Sequence, residues 1–149
     1  MLEVIADIWE YADQGVIVIT TNGSLTRDGR AVIGRGVAKQ AISRFPDLAA
    51  KLGKCVVENG NHVFDLGEGI VSFPVEETAW SLPDKRIITR SACELRVMAD
   101  MRKWQKIIVP RPGCGGGGLA WQEVKPLLEP WFDERFVLIN QPSTANFPE

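Results

Sequence analysis

Hydrophobic positions along the chain fall into two kinds of run. Val16-Ile17-Val18-Ile19 is short, continuous and β-branched, the pattern of a strand covered on both faces. Lys106–Val109 and Phe136–Ile139 read the same way, and Glu3–Ala6 is a further strand candidate. His62–Asp65 and Gly69–Phe73 form an expected pair around a glycine-containing turn. Between the strands, apolar residues recur at helical spacing. Val37, Ala38, Ala41, Ile42 and Phe45 make one such face, which Pro46 ends. Ala92, Leu95, Met98 and Ala99 make another, headed by the capping-box spacing of Ser91 and Glu94. Val124, Leu127, Leu128 and Trp131 make a third, expected to start near Glu123 so that Pro126 falls in its first turn. Pro74–Lys85 reads as irregular, and Gln141–Glu149 as a loosely held tail. Strands that alternate with helices predict an α/β sheet with helices packed on its faces.

Composition narrows the class. The chain has 149 residues, 45% hydrophobic and 24% charged, as expected of one soluble domain. Its net charge of −2 gives no general basic footprint for nucleic acid. The three cysteines show no C-x-x-C pairing and there is one histidine, so neither a disulfide framework nor a metal site is expected. That cysteine usage suits a reducing cytosol. No signal-peptide pattern opens the sequence and no apolar run approaches the roughly 20 residues of a membrane span. A cytoplasmic location without membrane contact is therefore expected.

The candidate chemistry lies in glycines that follow strands. Pro110–Trp121 contains five of them and comes directly after Lys106–Val109. Gly34-Arg35-Gly36 precedes the Val37–Phe45 helical face. Backbone N–H groups at such junctions converge on an anion without needing a lysine. Two cradles on one sheet edge suggest a diphosphate ligand. The familiar nucleotide patterns do not fit. Lys39 takes the third glycine position of the dinucleotide fingerprint, and no Gly-Lys-Ser/Thr is present.

Five segments in order resemble a macrodomain, the module that binds ADP-ribose. They are Ala6-Asp7-Ile8, Thr20-Thr21-Asn22-Gly23, Gly34-Arg35-Gly36-Val37-Ala38, Ser72-Phe73-Pro74 and Pro110–Trp121, and the match spans about residues 3–139. The Gly-Cys-Gly and Leu-x-Trp elements are most similar to the branch of terminal ADP-ribose glycohydrolases and DNA ADP-ribosyl glycohydrolase antitoxins. The resemblance implies a three-layer α/β/α fold with a mixed sheet, as one domain over residues 1–140 with a tail at 141–149. It implies that Asp7 accepts from the adenine amino group while the Ile8 backbone reads a ring nitrogen. Asn22 would face the distal ribose at the catalytic centre. Gly34, Arg35, Gly36 and Val37, with Gly113, Cys114, Gly115, Gly116, Gly117, Gly118 and Leu119, would clasp the phosphates. Phe73 and Trp80 border the ribose segment, each with an expected packing role.

The resemblance also implies an activity: metal-independent, cofactor-free hydrolysis that removes ADP-ribose from a protein or nucleic-acid target. Alternatives are a non-catalytic reader or scavenger of ADP-ribose, and an ADP-ribose 1″-phosphate phosphatase. Three departures bear on this choice. Glu76 stands where the branch commonly has a lysine, and Gly117 and Ala120 stand where relatives carry a carboxylate. Cleavage at the anomeric carbon builds positive charge on the ribose, which a carboxylate or covalent amine would stabilise. Glu76, Glu77 and Lys85 remain as acid, base or nucleophile candidates, with Glu76 first. Cys114 sits among backbone donors that favour a thiolate, but a packing role in the loop wall is expected for it.

Overall fold

A computed structural model of the chain describes residues 1–116 and 118–142. Among these residues there are six strands: β1 (Leu2–Ile5), β2 (Val16–Thr21), β3 (Phe64–Asp65), β4 (Ile70–Pro74), β5 (Ile107–Pro110) and β6 (Phe136–Asn140). Four α-helices join them: α1 (Gly36–Arg44), α2 (Leu48–Asn59), α3 (Lys85–Arg102) and α4 (Trp121–Leu128). A single 3-10 turn, Ile8–Tyr11, follows β1. The strands make one sheet in the order β1-β6-β5-β2-β4-β3, parallel throughout except for the antiparallel β3–β4 pair.

Continuous apolar runs make sense because both faces of this sheet are covered. Val18, Val71, Phe73, Ile107, Val109, Phe136 and Leu138 face one core, shared with Ile88, Ala92 and Leu95 of α3 and Val124 and Leu128 of α4. Ile17, Ile19, Ile70, Ile108, Val137 and Ile139 face the other, shared with Ala38 and Ala41 of α1 and Leu48 and Leu52 of α2. Successive residues of each strand thus alternate between two buried layers, the α/β/α arrangement expected from the sequence. Among the described residues, no helix is long and apolar enough to cross a membrane.

Helix boundaries depart from the expected pattern in three places. The α3 helix starts at Lys85, six residues before Ser91, and Asp84 caps it by accepting from the Arg86 N–H at 2.8 Å. Ser91 is a buried mid-helix residue whose hydroxyl donates to the Pro74 carbonyl at 2.7 Å. Glu94 does not cap either; it accepts from the Val63 N–H and pairs with His62. The α4 helix starts at Trp121 rather than Glu123, because the Glu123 carboxylate reaches back to the Ala120 N–H at 3.0 Å. Pro126 consequently lies inside the helix, exposed, beyond the first turn. Lastly, α2 fills the segment after Pro46, where the hydrophobic pattern predicts no element.

Two contacts hold the frame around the sheet edge. The Ser91–Pro74 hydrogen bond fixes the end of β4, so Ser91→Ala is expected to destabilise the fold by about 1–3 kcal/mol through the unpaired buried carbonyl. Gly53 of α2 lets the loop after β2 pack closely: a Cβ there would overlap the Gly29 carbonyl oxygen and come within 2.8 Å of the Arg30 Cα. Gly53→Ala should therefore destabilise by about 1–3 kcal/mol, as overpacking does. Denaturant midpoints at constant m-value check both.

Candidate functional site

Parallel strands bring their carboxyl ends to one edge, and the direction of chain progression reverses between β2 and β5. Ligands of open α/β sheets collect at such a switch point. The two glycine-rich loops follow these adjacent strands. Between them lies a cleft of about 650 Å³, within the roughly 300–1,000 Å³ of small-molecule pockets.

The first wall is the loop from Asn22 to Arg35. Asn22 organises it: its Oδ1 accepts from the Ser24 N–H at 2.9 Å, and its Nδ2 donates to the Val32 carbonyl at 3.1 Å. These bonds leave one amide hydrogen and one lone pair of Asn22 without a protein partner. Further out, Thr26 and Arg30 close a small turn around Gly29, at φ +82°. Arg35 then precedes α1 without a side-chain cap bond, so side chains leave the first-turn N–H groups of the helix unsatisfied where Gly36, Val37 and Ala38 line the cleft. Gly36 has φ +68°, a conformation that L side chains rarely adopt.

The second wall is the loop after β5. Leu119 N–H donates to the Gly113 carbonyl at 3.0 Å and closes the loop. Gly113 is structural: its φ is +74°, and a Cβ would press on Leu119, Ile88 and Pro83 at 3.0–3.2 Å. Gly115 is different, since among the described residues no atom beyond its chain neighbours lies within 4 Å of a Cβ built there, and the same holds for Gly34 on the opposite wall. Arg35 bridges the walls, its guanidinium donating to the Gly116 carbonyl at 3.1 Å. The three atoms nearest a Cβ at Gly116 all belong to that guanidinium, at 2.5–2.7 Å, and it can swing away. Gly115 and Gly34 are therefore the cleaner points for testing close ligand approach than Gly116 or Gly36.

Register puts two polar groups side by side on the floor. Thr21 pairs with Pro74, Val75 N–H donates to the Thr21 carbonyl at 3.0 Å, and Gly23 N–H donates to the Glu77 carbonyl at 2.9 Å. Asn22 and Glu76 thus leave neighbouring strands at the same level. Burial raises the Glu76 carboxyl above the ordinary carboxylate range, partly opposed by the Arg35 charge. Burial also raises the Cys114 thiol above its usual value. Cys114 therefore stays a thiol at neutral pH, and the loop's backbone donors do not make it a thiolate. At the far end, the Arg111 guanidinium stacks over Trp121 at 4.6 Å and reaches Glu3 at 3.5 Å. Thr21 Oγ1 and Arg111 Nε are buried without a hydrogen-bond partner, and both residues line the cleft.

The cleft gathers most of the sequence-derived site. Asn22, Gly34, Arg35, Gly36, Val37, Glu76, Gly113, Cys114, Gly115, Gly116 and Leu119 all line it. Asp7, Ile8 and Gly118 are not among the lining residues. The Asp7 carboxylate caps the 3-10 turn by accepting from the Trp9 N–H at 3.0 Å, and the Ile8 side chain is fully buried. Gly117 lies outside the described residues, as do residues 143–149 of the tail. Phe73 is core, as expected, but Trp80 is 84% exposed at the cleft mouth and packs in no core. Arg111, Trp121 and Thr21 belong to the site without having been singled out individually. No group of three metal-ligating side chains occurs among the described residues.

At the level of sequence the chain matches no protein-family model and no curated protein. Solved structures do match it. The macrodomain of Mycobacterium tuberculosis DarG superposes with a TM-score of 0.79 at 24% identity, covering 95% of this chain and 97% of that one. The fold is that of a macrodomain. A second macrodomain, from Thermus aquaticus DarG, gives 0.77 at 23% identity, with 95% and 97% covered. Thermosipho africanus DarTG in complex with ADP-ribose gives 0.77 at 19% identity, covering 98% of this chain and 42% of that one.

Proposed function

We propose that the cleft binds ADP-ribose and hydrolyses its bond to a protein side chain. The observation that carries the binding half is the pair of facing glycine loops at the switch point, open at Gly34 and Gly115 and bridged by Arg35. A diphosphate seated there meets backbone N–H groups at the start of α1 and displaces Arg35 from the Gly116 carbonyl. One structural neighbour, the Thermosipho africanus protein, is itself a complex with ADP-ribose, which supports this ligand. Arg35→Ala should weaken ADP-ribose binding by about 1.5–3 kcal/mol, the range of a hydrogen bond to a charged group. That is roughly 10- to 150-fold in Kd, measured by titration calorimetry.

Glu76 supports the hydrolytic half. It is the only carboxylate among the residues lining the cleft. Its raised pKa makes it a better proton acceptor than an ordinary exposed glutamate. In the proposed step Glu76 takes a proton from water, the water oxygen bonds to the anomeric carbon, and the bond from that carbon to the target breaks. Asn22 orients the distal ribose with its remaining amide hydrogen and lone pair. With Glu76 acting as the base, the lining holds no second carboxylate to act as a general acid. A lone carboxylate therefore suits a leaving group that departs as an anion without a proton, such as the carboxylate of an ADP-ribosylated aspartate or glutamate. Incubation with mono-ADP-ribosylated protein and, separately, ADP-ribosylated DNA tests this. Release of ADP-ribose from the ester-linked protein is expected. Absence of release at enzyme concentrations equal to substrate would leave a binding module without this activity.

A further inference from the structure

The loop between β4 and α3 carries more than Glu76. Its ends are tied together by the Asp84 N–H donating to the Val75 carbonyl at 2.8 Å. Within it, the Thr78 and Ser81 hydroxyls are 2.6 Å apart, and Ala79 N–H donates to the Ser24 hydroxyl at 2.9 Å. This pinned loop holds Trp80 and Leu82 out into solvent, 84% and 83% exposed, and both border the cleft. Two large apolar side chains exposed at one mouth of a binding cleft have the character of an interface anchor, Trp above all.

We propose that Trp80 and Leu82 form a docking rim for an apolar side chain that flanks the ADP-ribosylated residue of a protein substrate. This rests on reading the cleft as an ADP-ribose site. The rim is continuous with that site: Trp80 lies four residues beyond Glu76, and both line the same cleft. Charge selects protein over nucleic acid. Residues 76–86 carry Glu76, Glu77 and Asp84 against Lys85 and Arg86, a net of −1. Both cations are already engaged, Lys85 with Glu123 at 3.0 Å and Arg86 with Asp84 at 3.1 Å. A phosphate backbone needs free cations to exchange for its counterions, and this rim offers it none. An uncharged apolar side chain asks only for the exposed indole and isobutyl surfaces.

The test compares four ligands on the Glu76→Gln protein, which keeps the substrate intact, with and without Trp80→Ser and Leu82→Ser. The ligands are free ADP-ribose, a glutamate-ADP-ribosylated peptide with Leu beside the modified residue, the same peptide with Gly there, and an ADP-ribosylated oligonucleotide. Expected is an approximately 10-fold tighter Kd for the Leu peptide than the Gly peptide, abolished by the double substitution, with free ADP-ribose unchanged within about twofold. Equal affinity for the two peptides, or a preference that survives the double substitution, would overturn the rim. So would an oligonucleotide whose binding, rather than the peptide's, depends on the rim. Loss of free ADP-ribose binding confined to the double variant would place Trp80 and Leu82 in the nucleotide site instead. Failure to bind free ADP-ribose with the rim intact would refute the cleft reading itself, and the rim with it.

Discussion

Glu76→Gln is expected to lower the rate of ADP-ribose release by about 10²–10⁴, the usual contribution of a positioned general base, while ADP-ribose still binds. Three further readouts make this specific. Acting as a base, Glu76 must be ionised, so kcat/KM falls as pH drops through its pKa. Burial has raised that pKa, so the acid limb lies above the ordinary carboxylate range. A bound diphosphate that draws Arg35 away removes the one charge opposing the rise. The limb of kcat should therefore lie at higher pH than that of kcat/KM. Stability behaves inversely. A carboxyl whose pKa is higher folded than unfolded contributes stability below its unfolded pKa and loses it as pH rises through the folded one. The neutral glutamine has no such loss, so the variant should be no less stable than wild type at pH 7–8. An inactive variant that is also destabilised there would point to a structural role.

Gly115→Val is expected to leave the fold intact and remove ligand binding. Among the described residues no atom lies within 4 Å of a Cβ at this position, chain neighbours aside, and Gly115 does not have a positive φ. A Cβ there therefore meets none of them. What it does meet is whatever enters between the glycine loops. Loss of affinity on the order of 100-fold, about 2.7 kcal/mol, with an unchanged melting temperature is the expected result. Gly53→Ala provides the contrast, since its Cβ collides with backbone and should move stability first.

Strand placement was legible because each core strand is buried on both faces. Val16–Ile19 and Phe136–Ile139 need no partner information to be read as strands, and the glycines that follow β2 and β5 mark the functional edge. The α2 helix was not legible, although Leu48, Leu52, Cys55 and Val56 have helical spacing. Pro46 ends α1, and nothing in the local pattern announces a second helix two residues later. The start of α3 was misplaced because Ser91 and Glu94 have capping spacing, yet both serve tertiary contacts, with Pro74, Val63 and His62. Long-range pairs lie beyond any local pattern. The Arg35–Gly116 bridge joins residues 81 positions apart. Trp80 reads in sequence as a packing residue beside the ribose segment, and only the structure shows it 84% exposed. The turn that the Asp7 carboxylate caps, by accepting from the Trp9 N–H, was likewise not read from the sequence.

Calorimetric titration of ADP-ribose into the wild-type protein and the Gly115→Val variant tests the central claim most directly. Saturable one-to-one binding by wild type, lost in a variant with the wild-type melting temperature, is the predicted result. No saturable binding by wild type, or equal affinity in the folded variant, would contradict the diphosphate clasp.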